Sequence, residues 1–112
     1  MNIVNGGIYW VQLDKRNADS CVQAGRRPCI AIGNKKALRF SSVITVIPCS
    51  TKLKNKKNLP AHITIQSTPK TSCLLPEQIT TVDSHKIGNK IGELTSFEKS
   101  LLKSALLLQF GI

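Results

Sequence analysis

Acidic side chains are scarce in this 112-residue sequence, which holds six aspartates and glutamates against sixteen lysines and arginines. The few carboxylates form no convincing pair, so a two-metal nuclease centre would lack ligands. The net charge of +10 at pH 7 attracts polyanions, because phosphate contacts dominate the affinity of proteins for nucleic acids. The charge balance therefore predicts a nucleic acid or an acidic protein as partner, with simple solubility as the alternative.

Metal and cofactor motifs are also missing. The sequence contains no Gly-rich phosphate loop and no HExxH motif. Its four cysteines form no CxxC pair, and neither His62 nor His85 is spaced as a metal ligand beside them. We therefore expect no metal and no cofactor.

Long hydrophobic stretches are absent as well. The apolar run at residues 101–110 is interrupted by Lys103 and Ser104, and it is too short to span a bilayer. The N-terminal residues lack the basic start and the apolar core of a secretory signal. These features predict a cytoplasmic protein that does not enter a membrane and keeps its cysteines reduced.

The apolar residues that are present predict short strands followed by one helix. Their patterns indicate five strands, at residues 8–13, 29–32, 43–47, 62–65 and 78–82. Thr95 and Glu98 have the spacing of a capping box and predict a helix over residues 96–109. We expect a mainly β (α+β) fold: a small β-barrel with a C-terminal α-helix, in a single domain over residues 1–112.

Two connections, residues 14–27 and 48–60, are long for so small a domain. Loops of this length without structure of their own tend to be functional or disordered. The second carries four lysines: Lys52, Lys54, Lys56 and Lys57. These side chains either guide an RNA backbone or form a solvated loop.

Five segments of the chain resemble, in order, motifs of the MazF/PemK toxins. They are residues 6–10 (GGIYW), 23–32 (QAGRRPCIAI), 46–51 (VIPCST), 59–63 (LPAHI) and 77–83 (EQITTVD). Each segment is weak alone, but their shared order makes the match specific. The resemblance implies an SH3-like or CcdB-like barrel that forms homodimers.

The resemblance also implies an activity. Members of this family cut single-stranded RNA without a metal, and they leave a 2′,3′-cyclic phosphate and a 5′-hydroxyl. An antitoxin holds them in check through a disordered segment, which we expect to be acidic here because the chain is basic. Such chemistry suits a sequence poor in metal ligands, because the 2′-OH of RNA can attack its own phosphate once the enzyme orients it and stabilises the charge.

By this resemblance, three positions are candidates for two catalytic roles, one arginine and one hydroxyl. Arg27 precedes Pro28, as the family's catalytic arginine precedes a proline, and a guanidinium can hold two phosphate oxygens. The alternative for Arg27 is a surface arginine in an ion pair. Ser50 falls at the family's catalytic threonine and is favoured, although a one-residue shift would exchange it with Thr51. The alternative for both hydroxyls is turn capping.

Further residues are expected to contact RNA: Gln23, Lys52, Lys54, Leu59, Pro60, His62, Glu77 and Gln78. The amide of Gln78 suits a base edge, or else it is buried and bonded to the backbone. The alternating strand around His62 favours packing over a phosphate contact. Aromatic residues make up only 4% of the chain, which argues against a stacking platform of the RRM kind, and Trp10 is expected to pack in the core.

Val22 departs from the family pattern, in which many members have a glutamate that orients the arginine or assists proton transfer. Valine can do neither. One alternative is therefore a weakly active relative that binds RNA and antitoxin. Two others are a CcdB-like toxin that poisons gyrase by binding protein, and a non-catalytic RNA-binding module.

Overall fold

An antiparallel sheet forms the body of the molecule in a computed structural model that describes residues 2–14, 24–51 and 63–112. The strands in these ranges are β1 (Gly7–Leu13), β2 (Gly25–Ile32), β3 (Val43–Ser50), β4 (Ile63–Ile65), β5 (Ser72–Leu74), β6 (Thr80–Asp83) and β7 (Ile87–Glu93). The helices are α1 (Lys35–Phe40) and α2 (Ser96–Phe110), with short 3₁₀ helices at Pro76–Gln78 and Ser84–Lys86. Among the residues that the structure describes, there is no candidate for a membrane-spanning helix.

The sheet divides at β3. One edge of β3 pairs with β2, which leads through β1 to β7. The other edge pairs with β6 along residues 43–46 and with β5 at Cys49 and Ser50, and β5 pairs in turn with β4. The result is a curled half-barrel with a C-terminal helix, which confirms the predicted fold class.

Each face of the sheet carries its own hydrophobic cluster, because successive side chains of a strand point to opposite faces. Ile8 and Ile30 belong to one cluster, which also includes Leu102 of α2. Cys29 belongs to the other, together with Leu38 of α1. The continuous apolar runs in β2 and β3 therefore lie in strands buried on both faces, as predicted.

The cysteines of the described ranges are core side chains. Cys29, Cys49 and Cys73 are all buried. Burial raises the pKa of Cys29 to about 12. The pKa of Cys49 is also raised well above its ordinary value, first by burial and then by the neighbouring thiols. Because the thiolate is the reactive form, these cysteines are poor nucleophiles.

Helix α2 begins with the predicted capping box. The Thr95 hydroxyl accepts a hydrogen bond of 3.1 Å from the backbone N–H of Glu98, and the Thr95 N–H donates to the Glu98 carboxylate at 3.0 Å. The helix ends at Phe110, one residue later than predicted, and Gly111 follows in the left-handed conformation at φ 68°. That conformation strongly favours glycine and explains the position of the helix end.

Several predicted boundaries are wrong. β2 begins at Gly25 and β3 continues to Ser50, because pairing with β1 and with β5 orders residues assigned to the long connections. Gln78 is not in a strand: it ends a 3₁₀ helix that has Pro76 at its start, and β6 begins at Thr80. The sequence pattern also fails to predict α1, β5 and β7.

Candidate functional site

A pocket of about 350 Å³ lies where β2 and β3 extend beyond their last shared pair, Cys29 and Pro48. One side is formed by Trp10 of β1 and by Arg26, Arg27 and Pro28 of β2. The other side is formed by Thr51, which directly follows β3, and by the turn between β4 and β5. The turn contributes Thr68, Pro69, Lys70 and Ser72. The pocket thus joins four separate parts of the chain, two of which contain predicted catalytic residues.

The pocket is positively charged. Arg26, Arg27 and Lys70 line it, and its described lining includes no carboxylate. The ion pairs recorded among the described residues are Lys86–Asp14 and Lys90–Glu93, so neither arginine is neutralised by a carboxylate there. A cationic recess of this kind attracts a phosphodiester, and its low-dielectric walls strengthen the attraction.

Arg27 is held from one side and exposed on the other. Its Nε donates a 2.9 Å hydrogen bond to the carbonyl of Ala24, and its backbone lies opposite Val11 of β1. Only Nε is used in this bond, so the two terminal nitrogens of the guanidinium can face a ligand. The alternative of an ion-paired surface arginine finds no support among the described residues.

The two candidate hydroxyls differ in exposure. Ser50 is the last residue of β3, is 7% exposed and pairs with Cys73 of β5. Thr51 is exposed and lines the pocket together with Arg27. Arg27 and Ser50 each lie two residues beyond the Cys29–Pro48 pair, so strand alternation puts them on the same face of the sheet.

Trp10 is not the core residue that its mid-strand position predicts. It is half-buried and lines the pocket, and the guanidinium carbon of Arg26 lies 5.3 Å from the centre of its ring. Trp10 is only half-buried because the residues beside it are polar and exposed. The next residue on the same face of β1 is the exposed Gln12, which pairs with Arg26. Strand alternation in the sequence was the one signal that could have separated Trp10 from the buried Tyr9 and Val11.

The turn between β4 and β5 is fixed by its own side chains. The Thr68 hydroxyl donates to the Lys70 carbonyl, and the Ser72 hydroxyl donates to the same carbonyl at 2.9 Å. Thr68 and Ser72 are both buried and are 3.1 Å apart between their hydroxyl oxygens. These bonds hold the backbone of Lys70, so its side chain extends from a fixed point at the edge of the pocket.

Helix α2 anchors the same turn through Glu98, which is 7% exposed. Its carboxylate accepts a 2.8 Å hydrogen bond from the N–H of Gln66 and another from the Ser67 hydroxyl, in addition to the bond from Thr95. Burial acts to raise the pKa of Glu98, but the hydrogen bonds from Ser67, Thr95 and Gln66 outweigh it, and the pKa lies below its ordinary value. The capping residue is therefore also a tertiary contact.

Close packing supports this anchor. A Cβ atom at Gly92 of β7 would lie 2.4 Å from the carbonyl oxygen of Ser67, so only glycine fits there without a shift. The strand β7 and the first turn of α2 thus fix the segment directly before Thr68.

The remaining predicted residues do not line this pocket or lie outside the described ranges. Glu77 and Gln78 are half-buried in the 3₁₀ helix that packs against α2 and β3. The residues outside the described ranges are Val22, Gln23, Lys52, Lys54, Leu59, Pro60 and His62. Within the described ranges, no three His, Cys, Asp or Glu side chains are grouped so that they could hold a metal ion.

Proteins similar to this chain in sequence or fold include endoribonucleases and MazF proteins. The endoribonuclease MazF of Staphylococcus saprophyticus is 27% identical over 111 residues, covering 96% of this chain and 90% of the relative. An endoribonuclease from a mycobacterial species, solved in complex with its cognate antitoxin, has a similar fold with a TM-score of 0.76 at 19% identity, covering 99% of this chain and 95% of that one. MazF from Deinococcus radiodurans has a TM-score of 0.79 at 15% identity, covering 96% and 94%.

The family model described as the PemK-like, MazF-like toxin of type II toxin–antitoxin systems matches residues 5–110. This match includes every strand and both helices of the described ranges. The chain therefore belongs to the PemK-like, MazF-like toxin family.

Proposed function

We propose that this protein is an endoribonuclease toxin that cuts single-stranded RNA without a metal ion, leaving a 2′,3′-cyclic phosphate and a 5′-hydroxyl. The observation that carries the proposal is the pocket that Arg27 and Thr51 share. Two further positively charged side chains, Arg26 and Lys70, also line it. The endoribonuclease activity named for the relative from Staphylococcus saprophyticus supports the reaction class.

The reaction uses the nucleophile that RNA itself supplies. The 2′ oxygen forms a bond to the adjacent phosphorus while the bond from phosphorus to the 5′ oxygen breaks. The 2′-hydroxyl loses its proton and the leaving 5′ oxygen gains one. The transition state carries extra negative charge on the phosphate, so fixed cations and hydroxyl donors around it lower the barrier.

Arg27 is the residue proposed to hold that charge. Its terminal guanidinium nitrogens can bind two phosphate oxygens, and its charge persists over the whole physiological pH range. The bond from its Nε to Ala24 orients the guanidinium before RNA binds, which reduces the entropy lost on binding. This role is electrostatic, since the high pKa of arginine makes it a poor proton donor.

A hydroxyl donor to the same phosphate is proposed at the end of β3. Thr51 is supported by its exposure in the pocket, and Ser50 by its place on the Arg27 face of the sheet. Gln78 remains the proposed reader of a base edge, because an amide offers both donors and an acceptor.

We further propose that the protein acts in the cytoplasm as a homodimer and is held in check by an acidic antitoxin. A groove of about 320 Å³ beside α2 has apolar walls from Ile32, Leu102 and Leu106, with Lys99 and Lys103 at its edge. An amphipathic acidic segment fits such a surface. The mycobacterial neighbour was solved in complex with its cognate antitoxin, which supports a partner of this kind.

The decisive experiment incubates the purified chain with a long single-stranded RNA in EDTA and sequences the ends of the products. Cleavage at a short recurring sequence, with cyclic phosphate ends, is expected. Arg27→Ala should reduce the rate by about a thousandfold, the upper range for a single donor to a developing oxyanion. A single 2′-deoxynucleotide at the cut site should block cleavage, because it removes the nucleophile.

Matched variants separate the candidate groups. Ser50→Ala and Thr51→Val each remove one hydroxyl, and only the catalytic one should lower the rate without raising KM. Arg39→Gln is the control. Arg39 is an exposed arginine that lies over the ring of Phe40 and does not line this pocket, so its substitution should leave the cleavage rate unchanged. Intact RNA together with stalled gyrase would instead establish the CcdB-like alternative.

A further inference from the structure

The guanidinium of Arg26 lies over the ring of Trp10 inside the pocket, in a contact that the proposed chemistry does not use. We propose that the outer face of the Arg26 guanidinium, supported from behind by Trp10, is a stacking site for one nucleobase of the bound RNA. The base belongs to a nucleotide next to the cleaved linkage, so this inference rests on the proposed function.

The pair is built to present a flat surface. Arg26 is exposed while Trp10 is half-buried, and the guanidinium lies over the indole ring at 5.3 Å from its centre. A planar cation held on an aromatic ring keeps its second face available to a ligand. Nucleobases stack on arginine planes in this way in single-stranded RNA complexes.

The neighbouring strand leaves room for this arrangement. Gly88 of β7 lies beside Trp10, and a Cβ atom there would be 3.3 Å from the Trp10 carbonyl and 3.9 Å from Nη2 of Arg26. The first distance is a tight contact and the second is an ordinary van der Waals contact, so β7 approaches the Trp10 backbone closely at Gly88 and still leaves space for the guanidinium.

The rest of the pocket favours a base over a second phosphate as the occupant. Pro28 and Pro69 contribute apolar surface to the lining, which suits the faces and edges of a heterocycle. The volume of about 350 Å³ is within the range of small-molecule sites and has room for one nucleoside. Arg27, the next residue along β2, is the proposed phosphate contact, so the base and its linkage would be held by adjacent arginines.

Strand alternation explains how adjacent arginines can have separate tasks. Arg26 lies opposite Gln12, on the face of β1 that carries Trp10, while Arg27 lies opposite Val11 and alternates to the other face. A ligand at the end of the sheet can contact both, with the base toward Arg26 and the phosphate toward Arg27. Arg26 is in this scheme a binding residue, and Trp10 is a positioning residue that acts through it.

The test compares a complete RNA with a series of RNAs that each lack one base. Each is a short single-stranded oligomer with a 2′-deoxynucleotide at the cut site, so that it binds but is not cut. One has all its bases, and in the others a single abasic nucleotide replaces each position around the cut in turn. Binding is measured by fluorescence anisotropy for the wild type and for Arg26→Gln, Arg26→Lys, Trp10→Phe and Trp10→Leu.

We expect Arg26→Gln to weaken binding of the complete RNA about tenfold, the effect of losing one stacked base. The same substitution should have almost no effect on the RNA that is abasic at the stacking position. Trp10→Leu should act like Arg26→Gln, whereas Trp10→Phe should retain most of the affinity because a ring remains beneath the guanidinium. Arg26→Lys should lose the affinity although it keeps the charge, since an ammonium group has no planar face.

Controls keep the result interpretable. Arg39→Gln removes a comparable exposed arginine–aromatic pair outside the pocket and should bind every oligomer as the wild type does. Circular dichroism and urea unfolding verify that each Trp10 variant is folded, and the Arg26 variants test the same site without touching a packed ring.

The outcomes distinguish this inference from the proposed function. If Arg26→Gln weakens complete and abasic RNA equally, Arg26 is a phosphate contact and the stacking site is refuted, even though cleavage continues. If the wild type cuts no RNA but binds the complete oligomer more tightly than one of the abasic ones, and Arg26→Gln removes that difference, the chemistry fails while the base site stands.

Discussion

Replacing Glu98 with glutamine tests whether α2 holds the turn that borders the pocket. One carboxylate oxygen accepts from the Gln66 N–H at 2.8 Å, and the other accepts from Thr95 and Ser67. Glutamine keeps one oxygen and places an NH₂ group where the second acceptor was, which leaves a part-buried donor without a partner. We expect the free energy of unfolding at neutral pH to fall by about 2 kcal/mol.

The pH dependence gives this prediction its sign. The pKa of Glu98 in the folded protein lies below its ordinary value of 4.5, so the folded state favours the ionised form. The resulting stabilisation is fully present above the unfolded pKa and is lost as the pH falls through the folded one. The difference between wild type and Glu98→Gln should therefore be largest near neutral pH and should shrink in acid.

Urea unfolding of both proteins, near pH 7 and at about pH 3, measures the difference directly. Thr95→Ala is the matched control, since it removes the other half of the capping box and should cost about 1 kcal/mol without touching Gln66 or Ser67. Only Glu98→Gln should also weaken RNA binding, through the displaced turn. A gap that is equally large at both pH values would refute the proposed role of the ionised carboxylate.

Two further predictions follow from packing. Gly92→Ala should lower the free energy of unfolding by about 2 to 3 kcal/mol, because its Cβ would collide with the Ser67 carbonyl. Gly25→Ala, where φ is +78° but no atom lies within 4 Å, should cost only about 1 kcal/mol, and equal losses in urea titrations would contradict the close contact. In a Cys21→Ser background, iodoacetamide should leave the folded protein unmodified and alkylate it only after unfolding, as judged by mass spectrometry. The protected thiols are the buried ones: Cys29, Cys49 and Cys73.

The sequence predicts α2 well because its signals are local. The capping box depends on Thr95 and Glu98, three residues apart, and the left-handed helix end needs only Gly111. The second role of Glu98, as an acceptor for Gln66 and Ser67, depends on contacts more than thirty residues away and has no local signal. Sequence reasoning therefore predicts the helix but not the contact between its first turn and the segment that contains Gln66 and Ser67.

The strands likewise differ in whether their own residues or their long-range pairing determine them. β1, β2 and β3 are recognisable because their apolar residues face two clusters. β7 reads IGNKIGE, with two glycines and two charged residues, and is a strand only because β1 pairs with it through irregular register. β5 has three residues and owes its structure to β3 and β4 on either side. Such short strands are determined by their neighbours rather than by their own composition.

At the pocket, the motif around Pro28 predicts Arg27, and the structure adds Arg26. The sequence shows two adjacent arginines but does not show which one meets Trp10, because that depends on the register of β1 against β2. The lining by Lys70 and its turn is likewise invisible, since it depends on the pairing of β4 and β5.

The division of the sheet at β3 has a mechanical consequence. Pro48 has no N–H to donate, and its carbonyl accepts from Leu75 at 3.1 Å, so the hairpin of β4 and β5 is attached to the rest of the sheet along a short seam. An RNA that contacts both Thr51 and Lys70 would cross this seam and hold the hairpin of β4 and β5 to the rest of the sheet. Substrate would then make the molecule harder to unfold, by an increment that grows with the logarithm of its concentration.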